Sequence, residues 1–239
     1  MAILEIKNLT RRFGGLVAVN NLEFSINAGE IVALIDPNGA GKTTAFSMIS
    51  GFQKPDSGSI IFDNRDITGL PPHLIAERGL ARSFQIVEIF ADMTVLDAVT
   101  TAALLRLPLR QAVIHADEVI ARVGLKGREQ VSPSELSLQD RKLLELAKCV
   151  ATRPKLILLD EVMAGLTLAE ADLPVSIIRQ LRDTGITFVL VEHVIPIVMK
   201  TADRIIVMNF GEKVAEGTPA EVLANQSVRD AYFGEELDA

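Results

Sequence analysis

The sequence predicts an α/β fold built on a mostly parallel sheet, with an antiparallel β subdomain at the N-terminus and an inserted α-helical subdomain. Three observations carry that expectation. Short, wholly apolar runs such as Leu156–Leu159 read as strands buried on both faces. These runs alternate with stretches of helical spacing, as in strands joined by crossover helices. Between them, from Thr94 to Val150, the apolar pattern is helical throughout.

Each element follows from local signals. Ile3–Phe24 mixes alternating runs with Gly14-Gly15, giving strand, turn and strand. Glu30–Ile35 is a buried strand that runs directly into Asp36–Gly41, and helical spacing follows over Lys42–Gly51. Ser57–Phe62 and Asp63–Ile67 form a further hairpin. Thr94 with Asp97 three residues later marks a helix start, and Gly124 and Gly127 mark stops. Alternation then returns, with strands at Leu156–Leu159, Ile186–Glu192 and Arg204–Met208 and helices at Leu168–Leu181 and Ile195–Lys200. Thr218-Pro219-Ala220-Glu221 joins a capping box to proline at the first helical position, so a C-terminal helix follows. The chain, 1–239, reads as a single domain, with 1–84 and 151–239 as the core and about 85–150 as the helical lobe.

Composition narrows the class. A chain of 239 residues with 49% hydrophobic and 23% charged residues is neither disordered nor collagen-like. Its 24 Lys and Arg against 31 Asp and Glu give a charge of −7, which argues against wholesale nucleic-acid binding. The single cysteine, Cys149, excludes an intrachain disulfide and a cysteine-rich metal site, and fits a reducing compartment. No run approaches the roughly 18 to 20 apolar residues that cross a bilayer. The start, Met1-Ala2-Ile3-Leu4-Glu5, lacks the basic residues and apolar core of a signal peptide. The expectation is a soluble cytoplasmic protein, and a mean hydropathy of +0.30 fits either a large core or surface kept for a partner.

Three places carry chemistry. Asp36-Pro37-Asn38-Gly39-Ala40-Gly41-Lys42-Thr43-Thr44 lies between a strand and a helix. Small residues let successive backbone N–H groups turn toward a phosphate, the helix start adds positive potential, Lys42 reaches the β/γ-phosphates and Thr43 offers a hydroxyl to Mg²⁺. Leu156–Asp160 is an apolar strand ending in an acid, followed by Glu161. Asp160 is placed to hold Mg²⁺, and Glu161 to orient or deprotonate a water. His193 follows a third strand and reaches the same sheet edge, where an imidazole meets a γ-phosphate. Gln85, at an element junction, is a weaker candidate.

Taken together these motifs resemble the ATPase subunits of ABC transporters, nearly end to end. The resemblance implies a P-loop NTPase core that binds ATP and Mg²⁺ and hydrolyses ATP. It makes Asn38, Gly39, Ala40, Gly41, Lys42, Thr43 and Thr44 the Walker A loop, Leu156–Asp160 the Walker B strand and Glu161 the catalytic glutamate. It makes Gln85 the Q-loop glutamine, His193 the switch histidine, and Ser137 a contact to the ATP of a second protomer. Thr43, Gln85 and Asp160 become the metal set, and Phe13, with Val19 nearby, the adenine platform. Implied partners are a second ATPase subunit, identical or related, and membrane permease subunits, with a substrate-binding protein acting indirectly. Location is then peripheral, at the inner face of the membrane.

Within the family, Phe13-Gly14-Gly15-Leu16, Met93-Thr94-Val95-Leu96 and Glu216-Gly217-Thr218-Pro219 with Ala231–Glu235 look like the branched-chain amino-acid importers. The chain also departs from the family pattern. Asp36 replaces the first glycine of the phosphate loop, Gln139 and Asp140 stand within the signature Leu136-Ser137-Leu138-Gln139-Asp140, and Ala164-Gly165-Leu166-Thr167 lacks the usual D-loop acid or amide. Ser137 and Asp140 are also spaced as a helix cap. Two other readings remain: a non-transport ABC-type ATPase, and a regulatory module that hydrolyses ATP weakly.

Overall fold

The computed structural model describes residues 1–36, 41–84, 92–226 and 228. β1 (Ala2–Phe13) and β2 (Leu16–Asn27) form a long antiparallel hairpin, and β3 (Ile31–Ile35) leads to α1 (Lys42–Ile49). β4 (Ser57–Phe62) and β5 (Arg65–Asp66) follow, then α2 (Pro72–Arg78) and β6 (Leu80–Arg82). The helical lobe holds α3 (Val95–Ala103), α4 (Leu109–Arg122) and α5 (Leu138–Ala151). Then come β7 (Leu156–Asp160), α6 (Leu168–Asp183), β8 (Thr187–Val191), α7 (Ile195–Thr201), β9 (Arg204–Asn209), β10 (Glu212–Gly217) and α8 (Pro219–Ala224).

Two sheets result. One is antiparallel with order β2-β1-β4-β5; the other has order β10-β9-β3-β8-β7-β6. In the second sheet β6, β7, β8, β3 and β9 run parallel, and β10 pairs antiparallel with β9 at the edge. The residues of β3, β7 and β8 are buried throughout. Alternation along them feeds two separate cores. Ile31, Ala33, Ile157, Leu159, Phe188 and Leu190 pack with the helical lobe. Val32, Leu34, Leu156, Leu158, Val189 and Val191 pack with α1 and the antiparallel sheet.

The expected elements are present, and three more appear that the sequence reading did not mark: α2, β6 and β10. The caps behave as their spacing predicts. Thr94 with Asp97 and Thr218 with Glu221 form complete capping boxes, as does Thr167 with Glu170 at the start of α6. Each such cap contributes about 1 kcal/mol to its helix. Cys149 lies on α5 and is 6% exposed, and burial pushes its thiol up to about 12. Among the described residues, no helix is long and apolar enough to cross a membrane.

Candidate nucleotide site

The site gathers where parallel strands end. β3 delivers Asp36, β7 delivers Asp160 and Glu161, and β8 is followed by Glu192 and His193. β7 and β8 are paired in register, with Asp160 opposite Val191, so their ends emerge side by side. The N-terminus of α1 opens onto the same edge. Gly41 caps it with a φ of 115°, and a Cβ there would lie 2.9 Å from the Ala18 carbonyl oxygen, so only glycine fits. Gly41 has no side chain with which to cap α1 and no acid stands in its first turn, which leaves positive potential at the helix end for an anion.

Lys42 is the first residue of α1 and is 6% exposed. Its ammonium donates to the Asp36 carbonyl oxygen at 2.9 Å. Burial draws its pKa down, against the opposing pull of Asp36, Glu161 and Asp160. Three acids from two strand ends, β3 and β7, thus converge electrostatically on one lysine. Asp36 itself is 5% exposed, so its carboxylate does not project into solvent. Thr43 is exposed and Thr44 half-buried on the same first turn.

At β7, Asp160 is held at two points. Its backbone N–H donates to Ser83 Oγ at 3.1 Å, and its Oδ2 accepts from Arg82 at 2.9 Å. Glu161 adopts a φ of 48°, a left-handed conformation costing roughly 1 kcal/mol for a residue with a Cβ. Its backbone N–H donates to the Val191 carbonyl at 3.0 Å, fixing the turn off β7 against β8. His193 Nδ1 stands 3.9 Å from Glu161 Oε1, so the structure brings these two expected residues together.

Ser137 is the N-cap of α5, accepting from the Asp140 N–H at 3.1 Å, and Asp140 lies 3.9 Å from the Arg128 guanidinium. The cap reading of Ser137 and Asp140 is therefore correct as structure. Gln139 also has a defined place. Pro174 inside α6 has no N–H, which releases the Glu170 carbonyl four residues earlier, and Gln139 Nε2 donates to that oxygen at 2.7 Å. The departure at Gln139 thus ties α5 to α6.

Phe13 is 42% exposed, with the Arg11 guanidinium 4.9 Å from its ring centroid. Val19 corrects the expectation. It is fully buried in the core shared with α1, because the β1–β2 register shifts between Leu22 and Val19 and turns Val19 inward beside Ala18, so its side chain offers no surface to a ligand. Asn38, Gly39, Ala40 and Gln85 lie outside the described residues.

Two residues of this edge escaped the sequence reading. Arg82 looks like an ordinary basic residue until β6 is seen to lie beside β7. Glu192 is wholly buried, with Oε1 accepting from the Met163 N–H at 3.0 Å and Oε2 making no hydrogen bond. Burial pushes its carboxyl up to about 7 against the lowering effect of that N–H, and nearby Glu161 adds to the rise. An acid closing an apolar strand was the available signal.

The end of β3 and the glycine-capped start of α1, with acids on the neighbouring strand ends and the sequence Gly39-Ala40-Gly41-Lys42-Thr43 between strand and helix, define a P-loop nucleotide-binding ATPase domain. Residues 19–164 match the family described as "ABC transporter", and residues 212–238 match one described as "Branched-chain amino acid ATP-binding cassette transporter". The chain belongs to the ABC transporter family, as its ATP-hydrolysing, ATP-binding subunit. It is 38% identical to the high-affinity branched-chain amino acid transport ATP-binding protein BraF of Pseudomonas aeruginosa, across 98% of each chain. It is 39% identical to LivG of Salmonella typhimurium over the same share of both, and 35% identical to the lipopolysaccharide export system ATP-binding protein LptB of Escherichia coli across 99% of each. Among solved structures, the ADP conformation of the ATP-binding cassette MJ1267 superposes with a TM-score of 0.90 at 30% identity, covering 98% of this chain and 100% of that one.

Proposed function

We propose that the chain powers import of a small solute, branched-chain or related amino acids, through a membrane permease, as one of two ATPase subunits closing around two Mg-ATP. The convergence of Asp36, Asp160 and Glu161 on Lys42 at the open end of α1 supports this reading most directly. Lys42 would leave the Asp36 carbonyl for the β/γ-phosphates, with the α1 N–H groups and the loop residues Asn38, Gly39 and Ala40 around them. Glu161 would polarise the attacking water, and His193, beside it, would steady charge on the γ-phosphate. Phe13 would offer its free face to adenine, and Ser137 would reach the ATP of the second protomer.

The oxygen donors Thr43 and Asp160 suit Mg²⁺, with Gln85 assigned as the third. Among the described residues no cluster of three or more His, Cys, Asp or Glu could hold a metal. Mg²⁺ needs no such cluster, since it takes one or two protein oxygens and fills its shell with phosphate and water. Bound there, it would neutralise charge on the phosphate oxygens.

The permease would seat in a groove of about 380 Å³ between the α1–β6 side and the helical lobe, lined by Phe52, His73, Arg82, Phe84, Ala102 and Lys148. Docking there would hold the chain at the inner face of the membrane, with a substrate-binding protein acting through the permease. Likeness to LptB favours a second reading, export of a lipid-like substrate. Reconstituting the chain with a permease that binds it, and measuring ATP-driven uptake of leucine, isoleucine and valine, tests the assignment. ATP turnover stimulated by none of these solutes would overturn the importer reading.

A further inference from the structure

Arg82 belongs to two places at once. Its guanidinium donates to Asp160 Oδ2 at 2.9 Å, and both side chains are only 8% exposed. A second nitrogen donates to Ser50 Oγ at 3.0 Å and Ser47 Oγ at 3.2 Å, at the C-terminal end of α1. Its flank faces the groove. The guanidinium carbon lies 5.7 Å from the Phe52 ring centroid and 5.4 Å from that of Phe84, and the two rings meet edge to face at 5.4 Å. Phe52 and Phe84 are 54% and 46% exposed, and with Arg82 they form part of the groove wall. Arg82 Nε is sealed from solvent and makes no hydrogen bond, so the fork holds one donor in reserve.

We propose that Arg82 is a positioning residue linking the groove to the Asp160 carboxylate. Covering Phe52 and Phe84 strengthens its hold on Asp160, and Mg²⁺ recruited to Asp160 loosens that hold. An apolar cover removes water from the flank of the ion pair and raises its attraction. A metal drawn to Asp160 competes for the same negative charge. Coupling of this kind is reciprocal, so each site reports on the other. The link spans one side chain and needs no rearrangement of β6 or β7. The inference rests on reading Asp160 as a Mg²⁺ ligand, and its test separates the two.

The readout is the gain in ADP affinity on moving the full chain from EDTA to saturating Mg²⁺, measured by calorimetry. Asp160→Asn checks the underlying reading: a wild-type gain that this variant leaves intact removes Asp160 from the metal site and overturns both. Given that dependence, Arg82→Gln raises the Mg²⁺ gain by about five-fold, and Arg82→Lys, which keeps the charge, stays within about two-fold of wild type. Phe52→Ala, on a half-exposed ring, opens the pair to water. It raises the gain by about two-fold, and adds nothing in the Arg82→Gln background. A residue that only braces α1 against β6 lowers the melting temperature and leaves the gain untouched. An unchanged gain in Arg82→Gln, or a Phe52→Ala effect that persists without Arg82, overturns the proposal. If Arg82→Gln does not fold, an unchanged gain in Phe52→Ala does so alone.

Discussion

The ends of β7 and β8 are neighbours, and each buries a carboxylate. At β7, Asp160 meets the Arg82 guanidinium and its backbone N–H meets Ser83. At β8, Glu192 has one amide donor from Met163 and a second oxygen without a hydrogen bond. The first end offsets burial with a counter-charge; the second offsets it with a proton, since burial carries the Glu192 carboxyl up to about 7. The difference teaches that neighbouring strand ends can bury an acid in two ways, one beside a guanidinium and one on a single amide donor. Asp160 has a cation beside it, whereas Glu192 fixes the segment that follows Glu161.

The largest expected effect tests the working end. Glu161→Gln should slow single-turnover ATP hydrolysis by about a hundred-fold or more and leave ATP affinity near wild type. Glu192→Gln should do the reverse, sparing hydrolysis and changing stability. The Glu192 pKa is higher folded than unfolded, so the folded chain holds an extra proton between about 4.5 and 7. Stability is therefore lost as pH rises through that window. Gln keeps the acceptor for Met163 and carries no charge. Urea unfolding should show Glu192→Gln about 3 kcal/mol more stable than wild type at pH 8, with the gap closing toward pH 5. A gap independent of pH would mean the carboxyl does not titrate there, and the contrast with β7 would collapse.

A third strand end sharpens the comparison. Asp36 closes β3 almost fully buried and acts on Lys42, the lysine expected to grip phosphate. Asp36→Gly should tighten Mg-ATP binding by about ten-fold, and added salt should narrow the gap. Equal binding would place Asp36 with Glu192, as a residue of structure only. The smallest effect concerns a neutral case. Gln139→Ala removes the donor to the Glu170 carbonyl and should cost about 1 kcal/mol in chemical unfolding. In a Pro174→Ala background the helix supplies its own donor, and the cost of Gln139→Ala should shrink toward zero.

Much of this was legible in the sequence, and the reason is locality. Continuous apolar runs marked β3, β7 and β8 because both their faces are covered, and Thr94 and Thr218 sit at caps that need only three residues to recognise. β10 was not legible. Its residues, Glu212–Gly217, are mostly exposed, and it is a strand because β9 lies beside it. α2 spans seven residues, too few to show a period. Arg82 and Glu192 were missed for a related reason. Which acid has a cation depends on the order of strands in the sheet, and adjacent residues do not report it. Val19 was missed because a register shift in the β1–β2 pair breaks the alternation of β2, and a slip of one residue exchanges an outward position for a core one.

The burial of Cys149 has a practical consequence. With its thiol at about 12, roughly one molecule in a hundred thousand carries a thiolate at pH 7, so maleimides and mild oxidants find almost nothing to attack. The chain has no other cysteine. A reporter cysteine introduced at an exposed position such as Leu138, at the start of α5, would therefore take a fluorophore or spin label by itself, without first replacing the native thiol and disturbing the helix that packs around it. Distances between two such labels would then test whether a second copy closes against the first, in a protein otherwise identical to the natural one.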